Sequence, residues 1–189
     1  IEKISKIAKI DNLEADPTLH GAGLHMHPRN GRLLMHLDYE KHPTIENRQR
    51  SVNIILYLSK NWDSKWKGST ELWNKDLTFK LKESEVIFNN ALIFQTNEAS
   101  WHGIPDKIEC PPNVYRKTLA FYYLSPLINE KDVNKKGSNS SGFREKAVFS
   151  LLPNAKQDEK LLQLLQIRPY RRITEKDMSE IYPEWTNDL

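Results

Sequence analysis

Cys110 is the only cysteine in these 189 residues, and one thiol cannot build the disulfide framework of a small secreted domain. A lone thiol fits a reducing compartment, so a cytoplasmic location is expected. No apolar run approaches the roughly 20 residues a helix needs to cross a bilayer, so no membrane span is expected. Neither sign of charge dominates: 28 Lys and Arg against 25 Asp and Glu leave +3. The cations are scattered rather than massed, and no nucleic-acid partner is expected. The chain opens with neither a secretory signal nor a methionine, so Ile1 reads as the cut edge of a longer protein. What remains, 38% hydrophobic and 28% charged residues, is the balance of one globular domain with a real core.

Along the chain, short strand patterns alternate with turn signals. Ile1, Ile4, Ile7 and Ile10 recur every three residues and predict a helix seated by its isoleucines. Pro17 and Gly21-Ala22-Gly23 break that pattern. Leu24–His27, Arg32–Tyr39, Ser51–Leu58, Thr70–Trp73, Val86–Phe88, Ala91–Gln95 and Thr118–Leu124 read as strands at the spacing of sandwiches and barrels. Residues 40–50, charged around Pro43, predict a mobile loop at the site entrance, with His42, like His20, at the surface. Small polar residues predict a flexible linker over 128–143. Beyond it, Lys156–Ile167 sets Leu161, Leu162, Leu164 and Leu165 on one stripe, and Thr174 to Asp177 reads as a capped start to a helix over Met178–Tyr182. The expected organisation is a single domain over 1–189. It has an N-terminal helical edge (1–19), a β core (20–127), the linker (128–143) and a C-terminal helical appendage (144–189).

An ordered set, His36-x-Asp38, His102 and Arg116-x-Thr118, carries the chemistry. On an alternating strand, positions 36 and 38 point to one face and can grip a metal from one side. Two imidazoles and one carboxylate are the facial triad that holds non-haem Fe(II) and leaves its other positions open. Arg116 offers a fixed fork of donors for an anionic cosubstrate, and Thr118 shares its strand face. Asn53, Ile55 and Tyr57 share one face of their strand, and Tyr122 falls on the face of Arg116. Each residue also has a plainer reading. His36 and Asp38 would serve as a surface strand pair, His102 as a loop histidine, Arg116 as a rim ion-pair partner and Tyr57 as a core tyrosine. His25 and His27 alternate as a rival metal pair, although a wall or structural role is expected for them. Trp62, Trp66 and Trp73 read as packing anchors. Cys110, before Pro111-Pro112, reads as exposed and without catalytic role.

Over residues 20–125 the chain resembles the Fe(II)/2-oxoglutarate-dependent dioxygenases, in their prolyl-4-hydroxylase-like branch. The resemblance rests on His36-x-Asp38, then Ile54-Ile55-Leu56-Tyr57-Leu58-Ser59-Lys60-Asn61-Trp62-Asp63, Gly68, Trp101-His102-Gly103 and Arg116-Lys117-Thr118, in that order. It implies a mainly β fold with flanking helices, a double-stranded β-helix or jelly-roll, cupin-like barrel with iron at its open end. It implies His36, Asp38 and His102 as metal ligands and catalytic centre, with Arg116, Thr118 and Tyr57 holding the far carboxylate of 2-oxoglutarate. The implied activity is hydroxylation of a C–H bond coupled to oxidative decarboxylation of 2-oxoglutarate by dioxygen, with ascorbate keeping the iron ferrous. A prolyl peptide or protein is the first expected substrate; a small molecule such as an amino acid, sugar or lipid is the alternative. A non-catalytic, cupin-like metal-binding protein is the rival from another class, against which the retained ligands and Arg116-x-Thr118 argue.

Overall fold

The computed structural model describes residues 1–127, 144, 146–153, 155 and 158–183; the expected linker at 128–143 lies outside them. Helix α1 (Glu2–Ala8) leads into strands β1 (Glu14–Ala15), β2 (Gly23–His27), β3 (Leu33–Leu37) and β4 (Arg48–Tyr57). Then come β5 (Thr70–Trp73), β6 (Lys80–Ser84), β7 (Ala91–Gln95), β8 (Trp101–Ile104), β9 (Arg116–Pro126) and β10 (Val148–Ser150), followed by helices α2 (Glu159–Ile167) and α3 (Glu175–Ile181). All pairings are antiparallel. One five-stranded sheet runs β1-β9-β4-β7, with β2 also paired to β9; the other runs β10-β3-β8-β5-β6. This is the expected mainly β architecture, a double-stranded β-helix.

Strand β4 explains why the barrel holds together. Its Val52 and Ile54 are buried on the outer face with Ala8 and Leu13, beneath α1. Its Asn53, Ile55 and Tyr57 pair across to Tyr122, Ala120 and Thr118 of β9 and face inward. A ten-residue strand covered on both faces is the spine of the fold. Of the four isoleucines, Ile4 and Ile10 pack on that core while Ile1 and Ile7 stay exposed. A spacing of three drifts around a helix of 3.6 residues per turn, so one face cannot collect all of them.

Several expectations are corrected. Val86–Phe88 is not a strand: Val86 plugs the core beside Tyr57 and Leu92, while Ile87 and Phe88 stay exposed in a turn. The strand lies earlier, at Lys80–Ser84, a polar edge without the apolar alternation that marks a half-buried strand. The region after 144 is not purely helical, because Val148, Phe149 and Ser150 pair with Leu37, His36 and Met35 and extend the second sheet. Its helices do form as read, α2 capped by Asp158 and α3 opened by a reciprocal Thr174–Asp177 capping box. Cys110 is fully buried with Ile104 and Ile108 rather than exposed, its thiol donating to Val114 O at 3.0 Å.

The segment 40–50 differs most. Arg144 ties it down, donating from Nη2 to Glu40 Oε1 at 2.8 Å and from Nε to Asp38 O at 3.2 Å. His42 is buried, not superficial: Nε2 lies 3.2 Å from Asp16 Oδ2, and Nδ1 accepts from the Ile45 amide at 2.9 Å. Arg48 to Arg50 already belong to β4. His20 is half-buried, its Nδ1 2.6 Å from the Tyr39 hydroxyl. Charge in the sequence reads as solvation unless partners far along the chain supply the hydrogen bonds, as they do here.

Candidate active site

Strand register brings the metal-binding candidates together. His36 on β3 and His102 on β8 are direct cross-strand partners, their rings 4.1 Å apart. Asp38 follows the end of β3 on the face of His36, and its carboxylate oxygens lie 3.7 Å from Nε2 of each imidazole. All three side chains are buried, and one ligand atom of each lies within 4.8 Å of the others. Close approach of β3 and β8 depends on Gly103, where any Cβ would stand 2.7 Å from Leu33 O and 2.8 Å from Leu34 O.

Hydrogen bonding decides which atoms face inward. His36 Nδ1 donates to Leu34 O and His102 Nδ1 to Ser100 O, each at 2.9 Å. With the proton placed on Nδ1, each Nε2 keeps a free lone pair, the form a metal requires. Burial, reinforced by the neighbouring His36, pushes His102 down to about 4, which favours the neutral ring. Asn53 Nδ2 reaches across from β4 to donate to Asp38 Oδ2 at 3.2 Å and steadies the carboxylate. Two neutral nitrogens and one anionic oxygen on rigid strands fit a divalent ion such as Fe(II).

From this trio a cleft of about 430 Å³ runs between the sheets to Arg116, Thr118 and Thr70. Arg116 is 2% exposed, yet no carboxylate among the described residues pairs with it. Its Nε donates to Gly68 O at 2.6 Å and its Nη2 to Thr70 Oγ1 at 2.8 Å, which fixes the fork. Burial lowers its pKa to about 10, still charged at neutral pH. A desolvated cation with hydrogen bonds but no counter-ion is costly. Facing a cleft, it is suited to an anion.

Thr118 is buried on the same face and lines the cleft. Tyr57 is fully buried but stands behind the cleft wall; its hydroxyl reaches Thr70 Oγ1 at 3.0 Å and Ser84 O at 3.2 Å, and its ring lies under the Arg116 guanidinium. Thr70 is the cleft residue that sequence reasoning missed. A short strand after Gly68 carries no local mark that its threonine hydroxyl meets an arginine far along the chain. His25 and His27 pair with Thr118 and Arg116 and line the cleft wall, away from the metal-binding trio. Burial, with the Arg116 charge adding to it, pushes His27 down to about 4, so it stays neutral beside that cation.

Similarity to known proteins agrees with this geometry. The family model described as the 2OG-Fe(II) oxygenase superfamily matches residues 22–124. No curated protein matches the sequence significantly. Among solved structures, a prolyl hydroxylase of Trichoplax adhaerens, in complex with a hypoxia inducible factor oxygen degradation domain peptide fragment, is 20% identical. It covers 61% of this chain and 46% of that one, with a TM-score of 0.40. A Pseudomonas putida prolyl-4-hydroxylase is 18% identical over 55% of this chain and 51% of its own, with a TM-score of 0.41. A Phytophthora capsici prolyl 4-hydroxylase is 16% identical over 70% and 45%, with a TM-score of 0.44. The chain thus spans about half the length of these structures. Because the family model covers more than half of its residues, the chain belongs to the 2OG-Fe(II) oxygenase superfamily.

Proposed function

We propose that this protein is an Fe(II)- and 2-oxoglutarate-dependent hydroxylase, an oxidoreductase that uses dioxygen. The observation that carries the reading is Arg116: a buried guanidinium without a counter-ion, in the same cleft as a His-Asp-His trio whose Nε2 atoms are free. In this reading His36, Asp38 and His102 hold the iron, which supplies the oxidative decarboxylation and C–H hydroxylation when loaded. Arg116 and Thr118 bind the far carboxylate of 2-oxoglutarate. Tyr57 acts through Thr70 and the Arg116 guanidinium rather than by touching the cosubstrate. Asn53 orients Asp38. Neutral His27 and the apolar side chains of Leu33, Ile55 and Ile104 exclude water from the cleft.

Hydroxylation of a prolyl peptide follows from the branch that the motifs resemble. A small-molecule substrate is the second reading, favoured by a recess lined by cations on the far side of Asp38. Ascorbate would keep the iron ferrous. The test is succinate release under Fe(II), 2-oxoglutarate and ascorbate, with prolyl peptides, amino acids and sugars as substrates. Asp38→Ala removes the only anionic ligand and should abolish both tight metal binding and succinate release; a variant that keeps both would refute the assignment.

A further inference from the structure

The metal-binding trio stands between two hollows. His36 and His102 border the Arg116 cleft; Asp38 borders a separate recess of about 1080 Å³. One wall of that recess comes from His20, Tyr39 and Arg50 of the barrel, the other from Lys146, Arg168 and Arg172 of the C-terminal region. Its charge is mainly positive, with Asp38 the one carboxylate among its lining residues. The acidic groups beyond it are already engaged: Glu40 by Arg144, Asp16 by His42 and Asp177 by Arg171. Arg50, Lys146, Arg168 and Arg172 have no carboxylate partner among the described residues.

Arg50 makes the recess a built site rather than a basic surface. It is 3% exposed, and its guanidinium is sandwiched between the rings of Tyr39 and Tyr122 at 3.8 and 3.5 Å. Its Nη2 donates to His20 O, yet its Nε has no hydrogen-bond partner. That Nε is closed off between the rings, so what Arg50 offers the recess it lines is the charge of a guanidinium that no carboxylate balances. Arg168 is held over the ring of Phe149, which itself stacks on His36. The C-terminal cations are thereby coupled by packing to the metal-binding face.

We propose that this recess takes the organic substrate, and that the substrate is a small molecule carrying an oxyanion, phosphate or carboxylate, held by Arg50, Arg168 and Arg172. The proposal rests on the oxygenase reading, takes its small-molecule form over the prolyl-peptide form, and adds the substrate class. Planar guanidinium forks suit phosphate and carboxylate oxygens, and three of them lining one recess beside Asp38 can converge on one small anion. Anchored there, the substrate has its anion on the arginines and its remainder towards Asp38, opposite the cosubstrate cleft.

The test is calorimetric binding of glucose 6-phosphate, uridine monophosphate, citrate, neutral glucose and a glutamate-rich peptide to the Mn(II)- and 2-oxoglutarate-loaded protein, and to metal-free protein. A phosphate or carboxylate probe should bind while glucose does not, and its affinity should fall as salt is added. The phosphate and carboxylate arms decide which oxyanion is preferred. Arg168→Gln with Arg172→Gln, both outside the barrel core, should weaken that probe by roughly tenfold or more and leave 2-oxoglutarate affinity unchanged. Arg50→Gln should do the same if it folds. Failure of every small anionic probe to bind, equal binding by the double variant, or binding of the acidic peptide alone would overturn the proposal. Loss of 2-oxoglutarate binding in the wild type would instead overturn the cosubstrate reading, and the metal-free arm would still report on the recess.

Discussion

Arg116→Met is the most informative single perturbation, because it separates holding the fold from holding an anion. In the wild type, Nε and Nη2 are committed to Gly68 O and Thr70 Oγ1, so the remaining guanidinium hydrogens serve the cleft. Methionine keeps the apolar bulk but removes the charge and every donor. A hydrogen bond to a charged group contributes about 1.5–3 kcal/mol. With one or two such bonds to the 2-oxoglutarate carboxylate, affinity should fall by roughly tenfold to about 20,000-fold, at about 1.4 kcal/mol per decade. Fold stability should change much less. The variant strands Gly68 O, at about 1–3 kcal/mol, but also removes a desolvated cation that has no counter-ion. Titration of Mn(II)-loaded protein with 2-oxoglutarate reads the affinity, and urea unfolding reads the fold. Arg116→Lys, which keeps the charge and loses the fork, should fall between wild type and methionine. If the methionine variant binds 2-oxoglutarate within threefold of wild type, the cosubstrate lies elsewhere and the function of the cleft must be reassigned.

Three further outcomes test other parts of the structure. Because burial lowers Arg116 to about 10, its binding-competent cation dominates at and below pH 9. The 2-oxoglutarate affinity should therefore be flat from pH 7 to 9 and fall above about 10; a decline between 7 and 9 would assign the anion to another group. Gly103→Ala should push β3 and β8 apart, since the added methyl would meet backbone oxygens at 2.7 and 2.8 Å. The cost should be about 1–3 kcal/mol in urea unfolding, with weakened metal binding. A neutral result would mean that the strands have slack. His42→Ala should cost roughly 1–3 kcal/mol by removing the buried ring that bonds Asp16 and the Ile45 amide, while Asp16 keeps its bonds from Thr18 and the His20 amide; a loss below about 0.5 kcal/mol would return His42 to the surface role that the sequence suggests.

The strands that shape the site are legible because one physical rule writes them. Residues 116, 118, 120 and 122 alternate inward along β9, and 53, 55 and 57 do so along β4. Period-two patterning needs no knowledge of the partner strand. The same rule places His36 and Asp38 on one face. It also fails where a strand has no buried face, as at the polar edge strand Lys80–Ser84, and where a strand is only three residues long, as at Val148–Ser150.

What the sequence hides is the satisfaction of polar groups by distant partners. Thr70 looks like any strand threonine until Arg116 and Tyr57 both converge on its hydroxyl. Arg50 looks like the end of a charged loop, and its burial depends on Tyr39, just beyond the end of β3, and on Tyr122 of β9 in the other sheet. Local pattern assigns such a residue to solvent because an unpaired charge is costly to bury, yet two aromatic faces and a carbonyl offset much of that cost. The error has a direction. Sequence reading underestimates burial where cations meet rings and where histidines meet carboxylates, as at Arg50 and His42, and both positions flank the recess beside Asp38 or support its wall. Arg50 lines the recess as a buried cation that no carboxylate among the described residues balances. An anion settling in the recess would offset that charge, so anion binding there should stabilise the protein against thermal unfolding even when no metal is bound, and an unchanged melting temperature with excess anion would refute it.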